Sequence, residues 1–123
     1  MPSITNTDIA SIETSKNRAF DAADSARNAA VRTPDNSKAW KAQRLAYMAA
    51  SKVAGRADAI MLALTDGASV MDTRYVISEI RAIQSLSRQA TRNAALAWAL
   101  AADCEEHEAR VTSARRVWSI NKN

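Results

Sequence analysis

The residues best suited to chemistry lie together late in the chain, where Asp103, Cys104, Glu105, Glu106, His107 and Glu108 put thiol, imidazole and carboxylate groups within one short run. On a helix Cys104 and His107 stand i,i+3 and Asp103 and His107 i,i+4, so each pair shares a face. Metal binding or thiol–imidazole catalysis would use such neighbours. His107 is however the only histidine and Cys104 the only cysteine. Structural zinc takes four mostly Cys or His ligands, and di-iron bundles take two Glu-x-x-His motifs, so only a symmetric pair of chains would double the set. A nucleophile also needs a shaped turn, oxyanion donors and a pocket. With two isolated glycines, Gly55 and Gly67, the chain has neither a nucleophile turn nor a glycine loop to cradle phosphate. The run reads as an exposed acidic turn of helix with Cys104 as a small buried residue. The expectation is no catalytic residue, no metal, no cofactor and no enzyme.

Arginine carries the stronger signal. Arg74, Arg81 and Arg88 recur every seven residues and Arg92 lies one turn beyond, which keeps them on one side of a helix. The planar guanidinium fork suits carboxylates and phosphates, so this row fits an acidic protein surface or a nucleic-acid backbone. The bland alternative is a solvated helix face whose arginines pair with Glu79 or with aspartates of the first helix. No aromatic residues interleave with the row and no helix-turn-helix spacing is present, which makes nucleic acid the lesser use. Trp98 and Trp118 are the candidate anchors. Trp98 sits among alanines, where a ring either fills a core gap or is exposed to a partner, and Trp118 lies in a terminal turn with little core to fill.

The elements that position these residues are helices. Asn6 or Thr7 caps the first, which runs to about Arg32 with Ile9, Ile12, Lys16, Ala19, Ala23, Ala26 and Ala30 in near-heptad spacing, widened by Phe20 and Val31. Thr33 to Ser37, with Pro34, break the chain. A second helix from about 37 to 65 presents Trp40, Leu45, Met48, Val53, Ala57, Ile60, Met61 and Leu64. Gly55 within it marks either a close helix approach or a tolerated surface glycine, and Gly67 suits the C′ position. From about 72 to 119, Val76, Ile80, Ile83, Ser87, Ala90, Ala94, Ala97, Ala101, Cys104, Glu108, Val111, Arg115 and Trp118 alternate steps of four and three. The expected fold is all-α: an alanine-rich antiparallel bundle of three long helices in one domain spanning residues 1–123. The alternative is four helices, with the third broken among the small polar residues Ser85 to Asn93.

Composition bounds what such a bundle does. Alanine supplies 27 of 123 residues, close to half of an apolar share of 47%. It favours helix but covers little apolar area, so backbones must come close or borrow surface from a partner. A net charge of +4 favours acidic partners. No run of apolar residues is long enough to span a membrane and no signal peptide is visible, so a cytoplasmic place is expected, the host cytoplasm for a phage-encoded chain. The functional expectation is a non-enzymatic helical protein–protein interaction module of coiled-coil type, forming homo-oligomers and acting as adaptor, structural component or small inhibitor. A small phage or mobile-element protein that blocks host machinery would suit this build. The other reading is a nucleic-acid-associated protein using the basic helix face.

Overall fold

The computed structural model of the protein describes residues 5–33, 36–67 and 72–121, with side chains described for 5–33, 36–64, 72–105 and Ser113. It consists of α1 (Asn6–Val31), α2 (Ser37–Gly67) and α3 (Thr73–Asn121). Each helix packs against both others, giving an all-α three-helix bundle. Two bonds fix each relative direction. Arg56 meets Glu79 and Asn36 meets Leu100, so α2 and α3 run antiparallel, whereas Ser11 meets Gln84 and Ser25 meets Trp98, so α1 and α3 run parallel.

The helix starts are set by short polar side chains. Thr5, one position before the expected caps, accepts from the Asp8 backbone N–H at 3.2 Å, and Asp8 accepts from the Thr5 backbone N–H at 2.9 Å, which forms a capping box. Asn36 Oδ1 accepts from the backbone N–H groups of Lys38 and Ala39, both at 3.1 Å, and its amide also donates to the Leu100 carbonyl oxygen of α3 at 3.3 Å. Asp72 accepts from the Arg74 backbone N–H at 3.0 Å. Pro34 and Asp35, central to the expected break, lie outside the described residues.

Helix α3 is continuous, so the four-helix alternative is not what forms. The polar residues of 85–93 fail to cap a new helix because their hydrogen bonds run elsewhere. Thr91 Oγ1 donates to the Ser87 carbonyl at 3.1 Å, Asn93 to the Gln89 carbonyl at 3.0 Å, and Ser87 Oγ crosses to the Ser15 carbonyl of α1 at 2.9 Å. Back-bonding within a turn leaves the helical ladder intact.

The core is polarised. Of the 22 buried apolar side chains among the described residues, 16 are alanine. The six larger ones, Ile12, Val53, Ile60, Val76, Ile80 and Ile83, gather where the start of α1, the end of α2 and the start of α3 meet. Beyond them Ala19 to Ala30, Ala39 to Ala50 and Ala90 to Ala101 form the whole buried apolar interior of the other half. The expected inward stripe of α2 holds at Val53, Ala57 and Ile60, with Met61 and Leu64 packed against the core, and fails in the first half of the helix. Ala39, Ala42, Ala46, Ala49 and Ala50 are buried, while Trp40, Leu45 and Met48 are exposed, as are Phe20 and Val31 of α1. Small inward residues let helices approach closely, and that approach leaves no room for a large ring or branched chain.

Candidate functional site

Of the arginine row of α3, Arg88 and Arg92 lie on the flank that faces α1. Arg74, Arg81, Arg88 and Arg92 are all exposed. None has an ion-pair partner among the described residues. Glu79, the expected partner, is held by Arg56 of α2 at 3.3 Å, and the other two ion pairs join Lys16 to Asp58 and Arg32 to Glu105.

Between α1 and α3 this flank borders an open groove of about 850 Å³. Arg88 and Arg92 line it from α3, and Arg18 joins them from α1. The register explains the convergence. Ser11 bonds Gln84 and Ser15 bonds Ser87, pairings 73 and 72 positions apart, so Arg18 stands level with residues 90 and 91, between the two arginines opposite. Thr14 from α1 and Ser87 and Thr91 from α3 add hydroxyl groups to the two walls, and no acidic residue lines the groove. Arg81 and Arg74 do not line it. Arg18 escapes sequence reasoning because nothing in its own helix repeats with it; only the offset between helices brings it to the row.

Trp98 closes the next stretch of the same seam. Its indole N–H donates to Ser25 Oγ at 2.8 Å, and the Arg32 guanidinium lies 5.5 Å from the ring centroid while also pairing with Glu105 at 3.1 Å. The ring is 36% exposed, neither a core filler nor a free anchor but a strap across α1 and α3. A shallow pocket with Ala22, Ala94 and Ala95 in its lining lies against it and shares Arg18 and Thr91 with the arginine groove. The Trp118 and His107 side chains lie outside the described residues.

Of the late run that looked suited to chemistry, Asp103, Cys104 and Glu105 have described side chains. Asp103 and Glu105 are exposed and Cys104 is half-buried with a free thiol. Among the described residues no three His, Cys, Asp or Glu side chains group to hold a metal ion. No described helix is long and apolar enough to cross a membrane. At Lys16 the hydrogen bond that the ammonium donates to Asp58, then the charge of that carboxylate, holds the ammonium above the ordinary lysine value of 10.5. The arrangement offers anion recognition by forked donors. The chain matches no protein family, no curated protein and no solved structure.

Proposed function

We propose that this protein is a non-enzymatic helical interaction module that works by occupying the surface of another macromolecule, with a second copy of itself as its first partner. One observation carries the reading. Glu105 of α3 meets Arg32, the residue just past the end of α1, yet α3 continues through residues 106–121, about 24 Å further at 1.5 Å per residue. A helical rod of that length, standing past the ends of its neighbours, gains most by pairing with another helix.

Sequence order favours a twofold antiparallel pairing. The run from Asp103 to Glu108 is acidic, whereas Arg110, Arg115 and Arg116 follow it, so two such segments laid head to tail set acid against base. Trp118 belongs to this segment and supplies an aromatic anchor. Partners with acidic surfaces complement Arg74, Arg81, Arg88 and Arg92, and roles as adaptor, structural component or small inhibitor all follow from surface occupation. Light scattering across a concentration series tests the pairing. Mass should rise from 13.3 kDa towards twice that value, E106K/E108K and R115E/R116E should each remain monomeric, and their mixture should dimerise. A full chain that stays monomeric at every concentration would overturn it.

A second reading, association with nucleic acid, is favoured by the absence of ion-pair partners for the four arginines among the described residues. Phosphate-backbone binding weakens steeply with salt, and each arginine replaced by glutamine should lower the slope by about one.

A further inference from the structure

Arg18, Arg88 and Arg92 stand on the two walls of one groove whose lining holds no acidic residue; Asp21 lines the adjoining pocket that also takes in Arg18, without an ion pair to it. Arg88 and Arg92 are one helical turn apart, about 6 Å, and the register sets Arg18 opposite the space between them. Three arginines lining one groove at about the same level bring more charge and more donors than a carboxylate can use, since one fork satisfies both of its oxygens and its single charge. A phosphomonoester brings close to two charges and three acceptor oxygens, which three forks can share. The nearby hydroxyls leave the guanidiniums as the main donors, because Ser87 donates to the Ser15 carbonyl and Thr91 to the Ser87 carbonyl, while Thr14 keeps its hydroxyl available.

The position of the other two arginines separates a small ligand from a polymer. Arg81 is seven residues before Arg88, about 10 Å along the axis, and Arg74 another 10 Å away, both outside the groove. A nucleic-acid backbone would draw on the whole row. The convergence on Arg18 instead defines a focus. Past that focus the groove continues towards Thr7, Ser11 and Gln84, where Gln84 Nε2 donates to Ser11 Oγ at 2.7 Å and leaves the Gln84 amide oxygen and the Ser11 and Thr7 hydroxyl protons to serve a ligand, and its volume of about 850 Å³ far exceeds a phosphate. We infer that the α1/α3 groove binds a small phosphomonoester with a polar, hydroxylated body: the phosphoryl group at Arg18, Arg88 and Arg92, the body towards Ser11 and Gln84. This site stands apart from the pairing of the α3 ends and does not depend on it.

Ribose 5-phosphate, ribose, inorganic phosphate and a short oligothymidylate are titrated into the full chain, with backbone amides and arginine Nε–H groups followed by NMR. Ribose 5-phosphate should bind saturably with shifts centred on Arg18, Arg88 and Arg92, inorganic phosphate should shift the same signals more weakly, and ribose should shift none. R18Q and R88Q should each weaken binding by about tenfold, R18K less, and R81Q hardly at all, with helix content unchanged in every variant. Absence of saturable binding of ribose 5-phosphate would overturn the site. So would equal losses in R81Q and R88Q, or tighter binding of oligothymidylate with R74Q as damaging as R88Q, which would identify a polymer track.

Discussion

Single side chains in this bundle differ in what their removal costs, and hydrogen bonding decides the sign. Ser87 is buried and ties α3 to the Ser15 carbonyl of α1, so Ser87→Ala should lower stability by about 1 kcal/mol in urea unfolding, the usual worth of one such bond. Thr33 is equally buried but its hydroxyl has no partner among the described residues, so Thr33→Val should be neutral or stabilise by up to about 1 kcal/mol. Gly55 offers a third sign. A Cβ built there meets nothing within 4 Å, which settles the sequence alternatives in favour of a tolerated surface glycine; Gly55→Ala should add about 1 kcal/mol. The exposed Lys16–Asp58 pair adds a small pH-dependent contribution. Because the folded lysine value is raised, the pair's contribution is complete below the unfolded value of 10.5 and is lost as pH rises through the folded one. The small Tm difference between the natural chain and Lys16→Met should therefore vanish in strong alkali, and its persistence there would assign the effect to packing.

Helix by helix, legibility in the sequence followed how strongly the small residues declared a face. In α3 the stripe was readable from Val76 to Ala101, because its steps of four and three hold to one helical face, and every member of that stretch is buried; Cys104 is half-buried, and the side chains of Glu108, Val111, Arg115 and Trp118 lie outside the described residues. In α2 the reading favoured bulk over alanine, placing Trp40, Leu45 and Met48 inside when the close approach of helices reserves the interior for Ala39, Ala42, Ala46 and Ala49. Size alone misleads where the seam is tight. The helix starts were legible within a residue or so because capping is local chemistry, but the second bond of Asn36, to Leu100, depends on tertiary placement. Asn36→Ala should accordingly cost more than an ordinary cap, about 2 kcal/mol against about 1 for Asp72→Ala, measured by thermal unfolding. The row Arg74, Arg81, Arg88 and Arg92 was visible as spacing, whereas its convergence with Arg18 needed the offset between parallel helices, which no single helix encodes.

Across the whole molecule the division of the core sets where strength resides. Ile60 and Ile83 are fully buried at the aliphatic end, and either change to alanine should cost about 2–5 kcal/mol. Ala97, at the other end, is fully buried among small residues, and Ala97→Leu should destabilise by about 1–3 kcal/mol by forcing helices apart. The aliphatic half should thus hold the slowest-exchanging amides, with those near Ala46 and Ala97 exchanging sooner. Helix α3 leaves the bundle at the alanine end, where Glu105 passes the end of α1. Its protruding portion is therefore a lever whose fulcrum is the softer half. Whatever grips the tip delivers torque to the seam strapped by Trp98, Arg32 and Ser25 before any strain reaches the isoleucines, so mechanical load and thermal fraying would begin at the same end.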